Sequence, residues 1–214
     1  MEYHYLDESL ASYFQRLAGK FPCPGGGSAG ALSATLAACL IEMVCNFTVD
    51  GKRIDEAARE RCSEILIQAG KLRANLSAMI EKDSTLYDKF REISRLAKKD
   101  PAQAEVLQEV IKENISLHLD IMKACQGIAE WNEILLEIGN PHLVSDVGVS
   151  AALALGTVYS CRINIIVNLY QMRDAQIATE IQKEMEETCS SLTRRLQEVT
   201  GGVERKFMEA RNGG

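Results

Sequence analysis

The sequence predicts an all-α fold, a bundle of about six helices, several of them long, with the fifth at its centre. Three observations predict it. The 214 residues hold only four prolines, and two of these, Pro22 and Pro24, share one loop, so long stretches run without a helix breaker. Two of those stretches space their apolar residues alternately by three and four, the period of a helix face. The interruptions carry stop chemistry: Asp50-Gly51, Lys98-Lys99-Asp100-Pro101 and Gly139-Asn140-Pro141 supply glycine, proline or both where a helix must end. Residues 1–214 read as a single domain, long enough to bury one core.

The first helix is expected from about Asp7 to Ala18, closed by Gly19. A loop reading FPCPGGGS, Phe21 to Ser28, opens the second, which runs to about Thr48. Ser28 is the expected N-cap, since a hydroxyl there accepts from an early helical N–H. Gly30, Ala34 and Ala38, four apart, form a narrow ridge for a helix neighbour, a dimer partner or a flat ligand. The third helix spans about Ile54 to Ala97 with the seam Cys62, Ile65, Ala69, Leu72, Leu76, Met79, Asp83, Leu86, Phe90 and Ile93. The fourth spans about Ala102 to Ile138 with Leu107, Val110, Asn114, Leu117, Ile121, Ala124, Ile128, Trp131, Leu135 and Ile138. Each seam has one polar interruption, Asp83 and Asn114.

Ser145 or Asp146 caps the fifth helix, which reaches about Tyr170. It is apolar on nearly every face, hence its central placement. Its exceptions Thr157, Ser160, Asn164 and Asn168 form one polar stripe. The sixth, Ala175 to Val199, is amphipathic, and Gly201-Gly202 and the closing glycines read as a frayed end.

Composition narrows the function. A net charge of −6 and a pI near 5.2 argue against nucleic acid or an anionic membrane as partner, either of which wants a basic face. The N-terminal MEYHYLDESL has no signal-peptide pattern, so a cytoplasmic protein is expected. Two apolar segments long enough to cross a membrane, Ala29–Val49 and Val147–Tyr170, contain Glu42 or Arg162 and read as bundle helices. Of seven cysteines, Cys39, Cys45, Cys62, Cys125 and Cys161 read as small core residues of a reducing compartment. Cys23, in the loop, has no nearby base that would make it a nucleophile.

The glycine loop has two readings, a tight turn or a cluster of N–H donors aimed at a ligand. It matches no nucleotide fingerprint. Asp83 also has two. A carboxyl in an apolar seam is pushed toward proton exchange near neutrality, or it sets helix register as a satisfied polar residue. No metal site is expected, because His4, His118 and His142 are scattered and read as ordinary surface or core residues. Lys52 and Arg53 form a small basic corner, either simply solvated or open to an anionic tail.

Taken together, Pro24-Gly25-Gly26-Gly27-Ser28 with its Ala-rich helix, Met43-Val44, Gly51-Lys52-Arg53, Asp83 with Tyr87, Gly139-Asn140, Ser145-Asp146 with Ala151-Ala152, and Asn164 with Asn168-Leu169 resemble the formiminotransferase-cyclodeaminase family. The likeness is to its cyclodeaminase domain and to free-standing bacterial relatives that include methenyltetrahydrofolate cyclohydrolases, and it covers nearly the whole chain. It implies a helical bundle that forms a homodimer and binds a reduced folate as substrate, with no separate cofactor. The implied reaction converts 5-formiminotetrahydrofolate to 5,10-methenyltetrahydrofolate with release of ammonia. The alternative it implies is hydrolysis of the methenyl form to 10-formyltetrahydrofolate. Asp83 maps onto the proposed catalytic aspartate of a D-x-x-x-[YF] motif. Gly25, Gly26, Gly27, Ser28, Asn140, Ser145, Asp146, Asn164 and Asn168 are expected to hold the pterin, and Lys52 and Arg53 the glutamate tail. A non-catalytic helical scaffold remains the rival from another class.

Overall fold

A computed structural model describes residues 3–52 and 54–212. Among these, six α-helices and one short 3-10 turn account for the regular structure: α1 Leu10–Ala18, α2 Gly26–Val49, α3 Glu56–Ala97, α4 Gln103–Ile138, the turn Pro141–Leu143, α5 Val144–Leu169 and α6 Ala175–Asn212. The helix starts follow local chemistry. Ser9 caps α1 by accepting from Ser12 N–H, and Asp55 caps α3 by accepting from Ala58 N–H, each satisfying a first-turn donor that has no intrahelical acceptor. At the other end of α2, the Arg59 guanidinium of α3 donates to the carbonyls of Val49 and Gly51.

The centre of the bundle is α4, and this corrects the expected placement of α5. α4 packs against α2, α3, α5 and α6, whereas α5 packs against α2, α4 and α6. The apolar character of α5 misled because its outer face is apolar as well: Val149, Tyr159, Ile163 and Val167 are exposed. Both α2 and the segment Pro141–Leu169 have the length and hydropathy of a membrane span, and each buries its inner side in the bundle.

α2 and α5 lie antiparallel and are tied by small polar groups. Ser33 Oγ donates to Leu153 O at 3.2 Å, Ser150 Oγ to Ala37 O at 3.0 Å, and Thr157 Oγ1 to Gly30 O at 3.3 Å. Asn132 of α4 donates to Ser150 Oγ at 3.0 Å, so one hydroxyl joins three helices. The small-residue ridge therefore serves a helix neighbour: a Cβ on Gly30 would stand 2.8 Å from Ser160 Oγ.

The seams of α3 and α4 lie largely as expected, with Cys62, Ile65, Ala69, Leu76, Asp83 and Leu86 buried on one, and Val110, Asn114, Leu117, Ile121, Ile128, Trp131 and Leu135 on the other. Three details differ. Cys39 is exposed, not core, because it falls on the outer face of α2. Ser145 caps nothing; Asn140 Oδ1 accepts from His142 N–H at 3.0 Å and starts the 3-10 turn that leads into α5. The expected fray at Gly201-Gly202 is continuous helix. There a Cβ on Gly202 would meet Leu136 Cδ2 at 2.6 Å, so glycine lets α6 lie close against α4.

Candidate active site

The first turn of α2 builds the site. Gly25, in extended backbone after a cis Cys23–Pro24 bond, stands at the N-cap position, and Gly26, Gly27 and Ser28 are already helical. This corrects the expected cap. Ser28 lies inside the helix and is fully buried; its hydroxyl pairs with Tyr13 Oη at 3.0 Å. The capping oxygen comes instead from another helix: Ser28 N–H donates to Asp83 Oδ2 of α3 at 2.9 Å. A carboxylate here meets the positive end of the helix dipole as well as the N–H.

No glycine in the loop has positive φ, so the glycines serve close approach. A Cβ on Gly27 would stand 2.0 Å from Asp83 Oδ1 and 2.5 Å from His118 Cε1. Only hydrogen fits there. Gly25 and Gly26 have nothing within 4 Å of that position; they face a cavity of about 300 Å³. First-turn N–H groups have no intrahelical acceptor, so Gly26 and Gly27 can offer theirs to a ligand.

Asp83 sits at the inner wall of this cavity and is 9% exposed. Burial raises its carboxyl pKa to about 6, against the opposing pull of the Ser28 N–H. His118 of α4, 3% exposed, places Nε2 3.5 Å from Asp83 Oδ1. Burial lowers its pKa to about 4, so the carboxyl becomes neutral before the imidazole gains a proton. With the ring kept neutral by burial, the contact joins an imidazole to a carboxylate or carboxylic acid. Among the described lining residues Asp83 is the one carboxylate, and none is Lys or Arg.

Amides make up much of the remaining wall. Asn114, Asn164 and Asn168 each donate Nδ2 to the carbonyl four residues back, at 2.8, 2.9 and 2.9 Å. This fixes each amide orientation and leaves Oδ1 for a ligand. The α5 stripe thus divides by function: Thr157 and Ser160 bond α2 backbone, while Asn164 and Asn168 line the cavity. Tyr87, Phe90 and Val167 add an apolar side. Behind Asp83, Tyr5 Oη donates to Ser84 Oγ at 3.1 Å, and the Tyr5 and Tyr13 rings meet edge to face at 5.5 Å. The N-terminal segment so braces both serines beside the carboxylate.

The structure brings together Gly25, Gly26, Gly27, Ser28, Asp83, Asn164 and Asn168. It does not bring Lys52, Asn140, Ser145 or Asp146 to the same cavity. They lie at the opposite end of α2 and the start of α5, about 36 Å away by the rise of a 24-residue helix. Asn140 is occupied there, its backbone N–H donating to Thr48 Oγ1 at 2.9 Å. Arg53 lies outside the described residues. Cys23 is buried, with Sγ 3.6 Å from Ser84 O and its thiol pKa raised by burial, which leaves it a poor nucleophile. His118, expected to be an ordinary surface or core residue, also lines the cavity. Its signal was its place one turn after Asn114, beside Leu117 of the α4 seam.

The formiminotransferase-cyclodeaminase profile matches residues 9–187, a span that includes every residue described as lining this cavity. The chain belongs to the formiminotransferase-cyclodeaminase family. Its relatives within that family include the methenyltetrahydrofolate cyclohydrolase of Methylorubrum extorquens, 31% identical over 184 residues, covering 84% of this chain and 88% of that protein. The formimidoyltransferase-cyclodeaminase of Gallus gallus is 25% identical over 201 residues, and there the match spans 92% of this chain but 36% of the longer protein. The crystal structure of formiminotetrahydrofolate cyclodeaminase from Thermotoga maritima superposes with a TM-score of 0.79 at 26% identity, over 94% of this chain and 99% of that one.

Two predictions follow from this family member's geometry. Gly27→Ala should displace the Asp83 carboxylate and cost about 1–3 kcal/mol by overpacking, whereas Gly26→Ala should keep or slightly raise stability; urea unfolding of the two variants checks the contrast. Asp83→Asn should stabilise the fold at neutral pH. A raised folded-state pKa adds stability below the unfolded value of 3.8 that is lost as pH rises through about 6, so the gain of the Asn variant should grow across that window to about 3 kcal/mol. His118 works the other way, its contribution being lost as pH falls from 6.5 through about 4. Unfolding measured from pH 4 to 8 should therefore show stability rising with pH in the Asn variant and a flatter wild type.

Proposed function

We propose that this enzyme acts on the one-carbon unit of a reduced folate, converting 5-formiminotetrahydrofolate to 5,10-methenyltetrahydrofolate with release of ammonia. The observation that carries the reading is Asp83: a carboxyl aligned by a helix N-terminus, brought close to neutrality by burial, at the wall of a cavity lined by amide oxygens. In the reaction, N10 attacks the carbon of the protonated formimino group and the N10–C bond forms. Asp83 takes the N10 proton. It then returns that proton to the amino group, the C–N bond breaks, ammonia leaves, and the N5–C–N10 amidinium remains. General acid-base help of this kind is worth roughly 10²- to 10⁴-fold in rate. A cavity with one carboxylate and no Lys or Arg among its described lining residues suits a substrate and product that are both cationic at the reacting carbon.

For binding, the pterin lies against the glycine loop, where the missing side chains of Gly25 and Gly26 give it room, with its amine and ring N–H groups toward Asn114, Asn164 and Asn168. A second reading is favoured by the likeness to the Methylorubrum extorquens cyclohydrolase over most of both chains. In it, Asp83 deprotonates a water that attacks the methenyl carbon and then gives that proton to N5; the N5–C bond breaks, the adduct hydroxyl loses its proton to solvent as the formyl C=O forms, and 10-formyltetrahydrofolate is the product.

The glutamate tail then needs a second copy of the chain, since Lys52 is a helix length from the cavity. The exposed apolar residues Leu36 and Phe47 of α2 and Val149, Tyr159, Ile163 and Val167 of α5 supply a face for a homodimer. A two-fold axis perpendicular to these antiparallel helices would set the Lys52 end of one copy beside the glycine end of the other. That arrangement also gives Ser145 and Asp146 a cavity to face.

Purified protein supplied with 5-formiminotetrahydrofolate should generate the methenyl chromophore and ammonia, and Asp83→Asn should lose that turnover. Loss of the chromophore from added methenyltetrahydrofolate would select the hydrolytic reading; no change with either substrate would leave a non-catalytic scaffold. Ile163→Arg should convert a dimer to monomer in sedimentation velocity and weaken tail-dependent binding; an unchanged sedimentation coefficient would sink the proposed face.

A further inference from the structure

The neutral imidazole of His118 is the buried titratable group that the reaction above leaves unused. Its Nε2 faces Asp83 Oδ1 at 3.5 Å, its Nδ1 is buried without a partner, and its Cε1 closes over the hydrogen of Gly27. The tautomer follows from this arrangement. With the hydrogen on Nε2, the ring offers a donor to the carboxylate and orphans only an acceptor. With the hydrogen on Nδ1, it would bury an unpaired donor and set a lone pair against a lone pair, which is the costlier pattern.

We propose that His118 is a positioning residue of the proton-transfer step, donating Nε2–H to Asp83 Oδ1 while Ser28 N–H holds Oδ2, so that the carboxylate has one fixed donor on each oxygen. This rests on the folate reading for the identity of the proton's source, though the contact itself does not.

The consequence is directional. A carboxylate held by a donor on each oxygen keeps its free lone pairs on the cavity side, so a proton taken from the substrate has no acceptor within the protein. The ring cannot take it, because its Nε2 already carries hydrogen. The other groups packed around the pair cannot take it either: Tyr13 of α1, Cys23 of the loop and Cys161 of α5 have their pKa values raised and stay protonated. The proton must go back to the leaving group. Asn114, one turn before His118, has its amide committed to Val110 O and adds no charge.

The test compares His118→Gln, which keeps an N–H donor at similar reach, with His118→Leu, which removes it. Asp83 is followed directly by NMR of protein labelled with ¹³C at aspartate Cγ, without any folate, the resonance being assigned by its loss in Asp83→Asn. The expected result is a midpoint near that of wild type in the Gln variant and one about a unit higher, a tenfold change in proton affinity, in the Leu variant. In turnover, the acid limb of kcat/KM should move with it, and kcat in the Leu variant should fall about 10- to 100-fold with little change in KM. An unmoved Asp83 midpoint in His118→Leu, or equal kinetic losses in both variants, would overturn the proposal. A moved midpoint in a protein that turns over neither folate would support the contact and defeat the folate reading alone.

Discussion

One hydrogen bond organises the site: the Asp83 carboxylate of α3 accepts from the Ser28 N–H in the first turn of α2. A helix start usually finds its capping oxygen one to three residues back in its own chain. Here that role is held by a side chain from the neighbouring helix, and several otherwise separate features follow. Gly27 has no room for a Cβ because the carboxylate and His118 occupy that space. Ser28 is free to turn its hydroxyl inward to Tyr13. The carboxyl is drawn into the bundle far enough for burial to outweigh the stabilising N–H and dipole.

The resulting conflict is useful to a proton-transfer site. An Asp fully satisfied by several donors would remain a weak base, and one buried without a donor would remain protonated at neutral pH. One backbone donor against substantial burial leaves the group near the middle. The cost falls on stability, since ionising Asp83 above its folded-state pKa works against the fold. Under the proposed reaction, keeping such a group at the site is the usual exchange between activity and stability.

The outer faces of α2 and α5 connect the remaining observations. Their inner faces are joined by hydroxyl-to-carbonyl bonds that only small residues permit, and their outer faces expose Leu36, Phe47, Val149, Tyr159, Ile163 and Val167. A pair of helices apolar on both sides is spare surface in a lone chain. It also explains why composition alone points to α5 as the middle of the bundle, while packing gives that position to α4.

Much of this was legible in the sequence. Three-and-four periodicity placed α3 and α4 to within a few residues, though α6 continues to Asn212, well past its expected end at Val199, and the seams marked Asp83 and Asn114 as polar interruptions because a helix face repeats along the chain. The glycine run announced close approach. What periodicity does not carry is which face meets which helix. Ser28 looked like a cap because hydroxyls before apolar runs commonly are, and His118 looked ordinary because the carboxylate it faces belongs to another helix. Lys52, Asn140, Ser145 and Asp146 joined the glycine loop in a family pattern yet stand a helix length from it in one chain. Sequence by itself determined the helices, the stops of the second to fifth and the buried carboxyl. Only the tertiary structure decided that this carboxyl caps a different helix and meets a neutral imidazole, because those contacts join residues 55 and 35 positions apart, between Ser28 and Asp83 and between Asp83 and His118, and no local pattern encodes them.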